Sequence, residues 1–245
     1  MPTLFLSPST QEKNQYVTGS GSEEYWMNRL ADAMVPYLES CGIRYTRNTP
    51  DMTAGGSVRL ANQGRYDFYL ALHSNASGAG REGSNRGILA FYYPTSREGQ
   101  RAAQILVNGL RTIYPLPDKV LTRPTTTLGE IRLSRFPTVL LELGYHDNPE
   151  DAEWMESSVP LVAENLVLSL TEFFDIPFIF PRAPGEAQVT TEGGRLRLRG
   201  KPSTGGEVLA LIPNGSRVEV FGTYGQWSVV GYGDKVGYAA SSYLR

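Results

Sequence analysis

The sequence predicts an α/β domain, with a twisted and mostly parallel sheet flanked by helices, followed by a small all-β barrel. Up to residue 176, short apolar runs that look like strands alternate with helical patterns, which is typical of a parallel sheet. After residue 186, short runs separated by Gly, Pro, Asn and Asp predict a barrel. The Pro-rich stretch PFIFPRAPGE lies between them. We therefore expect a domain at 1–176, a linker at 177–186 and a barrel at 187–245.

The elements of the first domain are predicted from the spacing of apolar residues and from the residues that begin and end helices and strands. The expected strands are Thr3–Leu6, Ile43–Thr46, Tyr66–His73, Gly87–Tyr93 and Thr138–Leu143. The expected helices are Glu23–Ser40, Ser57–Gly64, Ser96–Tyr114, Pro149–Ser157 and Pro160–Phe174. Val120–Ile131 is rich in Thr and broken by Pro, and we interpret it as an irregular loop or lid. In the barrel, Asn214-Gly215 and Gly233-Asp234 predict tight turns.

Composition excludes several classes of function. The formal net charge of the 245 residues is -2, so there is no electrostatic case for a nucleic-acid partner. Cys41 is the only cysteine, which excludes a disulfide framework and a Cys-rich zinc site. No run is long enough to span a membrane, and the first residues lack the pattern of a signal peptide. The export route and the oligomeric state stay open.

Three residues in the first domain suggest chemistry at one edge of the sheet. His73 ends a buried strand, Glu142 interrupts the apolar run TVLLEL, and Glu24 begins the first helix. Each has a plain structural alternative: a hydrogen-bonded histidine, an ion pair of Glu142 with an arginine such as Arg59 or Arg132, and a helix-dipole interaction for Glu24. Taken together, nitrogen and oxygen ligands with a separate carboxylate match a catalytic zinc site with a general base.

The first domain resembles the zinc-dependent N-acetylmuramoyl-L-alanine amidases of cell-wall hydrolases and phage endolysins. The resemblance rests on EEYWMNRLADAM, VRLAN, LALHSNAS, GILAFYY and PTVLLELGYHDNPED, in this order. It implies that Glu24 and His73 are zinc ligands and that Glu142 is the catalytic carboxylate. It also implies hydrolysis of the amide between N-acetylmuramic acid and L-alanine in peptidoglycan.

The chain departs from this family in the loop after the first strand, where members commonly supply a histidine ligand. The loop here is LFLSPSTQEKN and contains no histidine. Either Gln11 in this loop or His146 beyond the catalytic strand completes the site, and we favour Gln11. Asn75 is a candidate for substrate binding or for orienting the loop that carries His73.

Residues 187–245 resemble a bacterial SH3-like domain, through GGRLRLRGKPSTGGEVLALIPNGSRVEVF and the later aromatic strands. Such a domain implies tethering to peptidoglycan, and hence a site of action at the cell wall or on the extracellular side. Two other functions stay open. One is a wall-binding protein whose amidase-like domain has lost metal and activity, and the other is a zinc peptidase that acts on the stem peptide.

Overall fold

A computed structural model describes all 245 residues, which form two compact units. The α/β unit consists of Thr3–Met34 and Tyr45–Phe173. The β unit consists of Met1–Pro2, Val35–Arg44 and Phe174–Arg245. None of the helices combines the length and the apolar character that crossing a bilayer requires.

The six-stranded sheet of the first unit has the order β2-β1-β3-β6-β4-β5. Its strands are β1 Thr3–Pro8, β2 Arg44–Arg47, β3 Phe68–Asn75, β4 Ile88–Tyr92, β5 Val120–Pro124 and β6 Thr138–Tyr145. β1 and β6 each run parallel to β3, whereas β4 runs antiparallel to β6. The fold class predicted from the sequence, a mostly parallel α/β sheet, is confirmed.

The helices are α1 Glu23–Ser40, α2 Ala54–Ala61, α3 Arg97–Arg111, α4 Gly129–Leu133 and α5 Pro149–Phe174. The bounds predicted for α1 agree with the structure, whereas the two closing helices expected around Pro160 form one helix, α5. Proline removes one backbone donor, but buried side chains on both sides of it, from Met155 to Leu166, keep the helix packed.

The interpretation of Val120–Ile131 as an irregular loop is wrong. The segment contains β5, an edge strand that pairs in parallel with β4, and it ends within α4. An edge strand accepts Thr and Pro because one side of its backbone makes no ladder hydrogen bonds. This correction matters for function, because α4 carries a buried carboxylate, Glu130.

The end of β6 is shaped by an irregularity in its pairing with β3. The register shifts between His73 and Asn75, and Gly144 there has a φ of +84°, a conformation that favours glycine. Buried Asp151, in the first turn of α5, accepts hydrogen bonds from the backbone N–H groups of Tyr145 and Gly87. The carboxyl end of β6 is thus fixed to α5 and to the start of β4.

The β unit contains a second six-stranded sheet, with the order β7-β10-β11-β12-β8-β9 and antiparallel pairing throughout. Its strands are β7 Gly185–Gln188, β8 Leu196–Arg199, β9 Val208–Ile212, β10 Arg217–Tyr224, β11 Trp227–Tyr232 and β12 Lys235–Ala240. They enclose an apolar core of their own that includes Leu198, Ile212 and Val230. The all-β prediction is confirmed, although the last two residues of the expected linker, Gly185 and Glu186, belong to β7.

Candidate active site

The candidate site lies at the carboxyl ends of β3 and β6. His73 on β3 and Glu142 on β6 are directly paired in the register of these parallel strands, so both side chains leave the same face of the sheet. Ala71 and Tyr69, two and four positions before His73, lie on this face in an apolar cluster with residues of α2 and α4. The alternation of β3 therefore directs His73 toward the side on which α4 lies.

His73 is buried and lies between two carboxylates. Its Nδ1 is 2.8 Å from Oε1 of Glu23, and its Nε2 is 2.8 Å from Oε2 of Glu130. Burial alone lowers the pKa of an imidazole, but the hydrogen bonds to Glu130 and Glu23 outweigh it and raise the pKa of His73 well above its usual value. The same contacts lower the pKa of both carboxyl groups against the effect of their burial.

The carboxylate of α1 that reaches His73 belongs to Glu23 and not to Glu24. Glu23 is 1% exposed, whereas the neighbouring Glu24 is half-buried and its carboxylate makes neither a hydrogen bond nor an ion pair. Glu23 precedes the buried residues Met27 and Leu30 by four and seven positions, which places it on the buried face of the helix. Glu23 is therefore an alternative candidate for the metal-ligand role that we expected for Glu24.

Gln11 also lies on this side of His73. Its Nε2 lies 3.2 Å from Oε1 of Glu23 and 3.4 Å from Nδ1 of His73. Asn14 is hydrogen-bonded to both Gln11 and Glu23: its Nδ2 donates to Oε1 of Gln11 at 3.2 Å and to Oε2 of Glu23 at 2.7 Å. The loop after β1 therefore contributes two amides where the family commonly supplies a histidine.

Glu142 has no partner for one of its carboxylate oxygens. The residue is half-buried, but its Oε2 is shielded from solvent and makes no hydrogen bond, and no arginine forms an ion pair with it. Burial raises the pKa of Glu142 to about 7, the positive charge of His73 lowers it, and the negative charges of Glu23 and Glu130 raise it. The sequence alternative of an ion pair with Arg59 or Arg132 is wrong.

The structure places His146 and Asn75 beside the site without contact to His73. The buried ring of His146 stacks on Tyr16, and its Nδ1 lies 3.2 Å from the backbone oxygen of Ser74. These contacts give His146 a structural role, in which it holds the backbone at the end of β3. Asn75 accepts a hydrogen bond from the backbone N–H of Ala76 through Oδ1, at the point where β3 ends.

The residues around His73 meet the requirements of a zinc site only in part. No group of three or more His, Cys, Asp or Glu side chains is arranged to hold a metal, since Glu23 and Glu130 lie at opposite nitrogens of the same ring. On the Nδ1 side, however, one imidazole nitrogen, one carboxylate and the amide of Gln11 converge. A half-turn of that amide presents its oxygen, a poorer zinc ligand than imidazole. In contrast to these three groups, the buried Oε2 of Glu142 makes no hydrogen bond.

A carboxylate with a pKa of about 7 and a buried imidazole occupy paired positions at the carboxyl edge of an α/β sheet, an arrangement typical of a hydrolytic enzyme. The chain belongs to the N-acetylmuramoyl-L-alanine amidase family, whose model matches residues 9–172. Members of this family are generally zinc-dependent. A bacterial SH3 domain matches residues 194–245. A search of curated proteins found no match.

Solved amidases share the fold at low sequence identity. The amidase of Clostridium difficile 630 has a TM-score of 0.63 and 18% identity, covering 71% of this chain and 97% of its own. AmiC2 of Nostoc punctiforme has a TM-score of 0.60 and 16% identity, with the same coverages. The catalytic domain of CwlV from Bacillus (Paenibacillus) polymyxa has a TM-score of 0.62 and 16% identity, covering 72% of this chain and 100% of its own.

Sequence reasoning missed two residues of the site, Glu23 and Glu130. Glu23 was detectable, because it continues the buried stripe of α1 backward by one turn. Glu130 left no usable signal, since α4 has only five residues and follows a Thr-rich segment.

Proposed function

We propose that this chain hydrolyses the amide bond between N-acetylmuramic acid and the L-alanine of the peptidoglycan stem peptide. The observation that carries the proposal is Glu142, whose shielded and unpartnered Oε2 lies on the strand position paired with His73. A buried carboxylate without a partner costs several kcal/mol unless it serves a ligand or a reaction. Its pKa of about 7 suits a group that takes up and returns a proton near neutral pH.

In this proposal Glu142 accepts a proton from water as the water attacks the lactyl carbonyl carbon. The carbon–nitrogen bond then breaks, and Glu142 returns the proton to the leaving amine of L-alanine. The products are the lactyl carboxylate on the glycan and a peptide with a free amine. The second proton of the attacking water stays on the new lactyl carboxyl group, which then ionises and gives it to the amine or to solvent. Glu142 ends the cycle as the carboxylate with which it began.

Glu23, His73 and Gln11 would hold a zinc ion in this proposal, with Glu142 left free of the metal. A bound zinc ion polarises the carbonyl and lowers the pKa of water. Glu23 and His73 supply the strong ligands, and Gln11 supplies the weak one. Glu24 and His146 remain candidates from the sequence, with less support from the contacts around His73.

The test is digestion of isolated cell walls with the full chain, combined with measurement of its zinc content. We expect new amino groups, and mass analysis should find intact glycan together with peptides that begin with free L-alanine. Cleavage inside the stem peptide would instead support the zinc peptidase alternative. Glu142→Gln serves as the control and should release nothing.

A second candidate function is a wall-binding protein without amidase activity. The observation that favours it is Gln11, an amide where the family commonly has a histidine ligand. Absence of zinc in the purified protein, together with no released amino groups and intact binding to walls, would establish this second function.

We also propose that the β unit binds peptidoglycan, which would bring the enzyme to the cell wall. Its strands border a groove of about 940 Å³ lined by Trp227, Tyr243, Arg195 and Arg197, among others. Tyr243 is 45% exposed. Aromatic faces suit sugar rings and peptide backbones, and the guanidinium groups suit the carboxylates of stem peptides.

A further inference from the structure

Arg199, the last residue of β8, is a buried arginine without an ionic partner. The residue is 8% exposed, and no carboxylate forms an ion pair with its guanidinium group. Its side chain makes one hydrogen bond, from Nη1 to the backbone oxygen of Gly206 at 2.7 Å. Burial of a charge is costly unless the charge is paired and hydrogen-bonded. The remaining N–H donors of this guanidinium group are therefore free to bind an anionic ligand.

The alternation of β8 places three arginines on the face of the sheet opposite the apolar core. Leu196 and Leu198 belong to that core, so Arg195, Arg197 and Arg199 point to the other side. The first two of these arginines are exposed and form no ion pair. The row thus combines two exposed guanidinium groups with one that is shielded from solvent.

The neighbouring strands bring an aromatic side chain to the same face. Arg199 pairs with Tyr238 on β12, and Ala240, two positions later on β12, pairs with Trp227 on β11. Residues directly opposite in an antiparallel pair share a face, as do residues two positions apart on one strand. Arg199 and Trp227 accordingly line one groove, together with Tyr243.

The charge of this groove is strongly positive. Four arginine side chains line it, whereas Glu192 is its one acidic side chain. A guanidinium group binds a carboxylate through two parallel hydrogen bonds, a geometry that a lysine cannot provide. Because Arg199 is shielded from solvent, salt screens its attraction to an anion less than it screens that of the exposed arginines.

We propose that Arg199 anchors a carboxylate-binding site in the β unit, which recognises a free carboxyl group of the stem peptide and discriminates against the amidated form. Arg197 assists at the edge of the groove, and Trp227 and Tyr243 supply apolar surfaces for the peptide. The proposal rests on the wall-binding function proposed above for the β unit and adds the chemical group that is recognised. An amide is a poor substitute, because it carries no charge and turns N–H donors toward those of the guanidinium group.

The test measures the affinity of the full chain for a synthetic stem peptide with free carboxyl groups, and for the same peptide with every carboxyl group amidated. We expect amidation to weaken binding to the unchanged protein by at least about tenfold. Arg199→Gln should weaken binding of the free peptide by a similar factor, and amidation should then have little further effect. Arg199→Lys keeps the charge without the forked geometry and should recover only part of the affinity.

Arg217→Gln is the matched control. Arg217 is an exposed arginine on β10 that does not line the groove, so its removal changes the net charge of the β unit by the same amount. We expect the affinities for both peptides to stay as in the unchanged protein. An equal loss of binding in Arg217→Gln and Arg199→Gln would show that only the overall charge matters, and would refute the site.

A purely structural role of Arg199, as a support for the backbone at Gly206, predicts a different result. Arg199→Gln would then unfold more easily while its preference for the free peptide persisted, and this outcome would overturn the proposal. Equal binding of the two peptides by the unchanged protein would overturn it as well. If Arg199→Gln does not fold, Arg197→Gln at its exposed position should weaken binding of the free peptide by about threefold; an unchanged affinity would count against the proposal.

This proposal and the proposed functions fail in different ways. The synthetic peptide contains no muramic acid, so its binding does not depend on amidase activity. A chain that binds the free peptide through Arg199 but releases no amino groups from walls would refute the amidase proposal alone. Binding to isolated walls without a preference between the two peptides would refute the carboxylate site alone.

Discussion

The ionised carboxylate of Glu142 lowers the stability of the folded protein, because one of its oxygens is buried without a partner. Its pKa is raised from 4.5 to about 7, so the folded protein favours the protonated carboxyl. The group therefore costs no stability below about pH 4.5, and its cost grows as the pH rises toward and through 7. A catalytic carboxylate without partners is an expected place for such a cost.

We predict that Glu142→Gln stabilises the metal-free protein while it abolishes turnover. A rise of this size in pKa corresponds to a cost on the order of 3 kcal/mol at pH 8.5, and the amide avoids most of it because it carries no charge. Denaturant unfolding at pH 8.5 and pH 5 measures the difference, which should shrink toward zero at the lower pH. A variant that is less stable at pH 8.5 would show that Glu142 has a partner that stabilises its charge.

Gln11 offers a gain-of-function test of the metal site. We predict that Gln11→His raises zinc affinity by at least about tenfold, because imidazole replaces an amide as the third ligand. Chelator competition measures the affinity, and His146→Ala is the control that should leave it unchanged. Loss of zinc in His146→Ala, with no effect of Gln11→Ala, would move the third ligand to His146.

At the scale of elements, the rotational position of each residue around α1 decides whether Glu23 or Glu24 points toward His73. The buried residues Met27, Leu30 and Met34 define one face of the helix, and Glu23 lies closer to the centre of that face than Glu24 does. The acid-rich first turn alone does not separate the two, because the helix dipole favours either of them.

We predict that Glu23→Gln lowers zinc affinity and destabilises the metal-free fold by about 3 kcal/mol, since it leaves buried His73 with one carboxylate fewer. Glu24→Gln, the matched neighbour, should change stability by no more than about 0.5 kcal/mol and leave zinc affinity intact. Thermal unfolding with and without zinc measures both effects. Equal zinc loss in the two variants would restore Glu24 as a ligand.

At the scale of the whole molecule, the sequence predicted the sheet, the helix α1, the change to a β unit and the strand positions of His73 and Glu142. These features rest on local patterns of sufficient length, such as the apolar runs of β3 and β6. Glu130 could not be predicted, because its partners lie 57, 61 and 123 residues away and α4 is too short to show a period. The domain limits at 176 and 187 stay predictions.

The β unit gives a prediction about the attachment of the whole enzyme to its substrate. We predict that Tyr243→Ala weakens binding to isolated walls by about tenfold, since exposed aromatic residues in grooves contribute much of such binding energy. Hydrolysis of a small soluble muropeptide should be unaffected. Tyr224→Ala is the matched control, because Tyr224 is 51% exposed on β10 and does not line the groove. Equal loss of wall binding in both variants would exclude the groove as the binding site.

The unpartnered Oε2 of Glu142 also means that the binding of a ligand should be detectable as a change in thermal stability. Any molecule that offers this oxygen a hydrogen-bond donor or a cation removes the cost of its burial and so raises the melting temperature. A ligand at 100 times its dissociation constant adds about 2.7 kcal/mol of stability. A thermal-shift screen of muropeptide fragments would thus find substrate-like compounds without turnover, and compounds that act through Glu142 would lose their effect in Glu142→Gln.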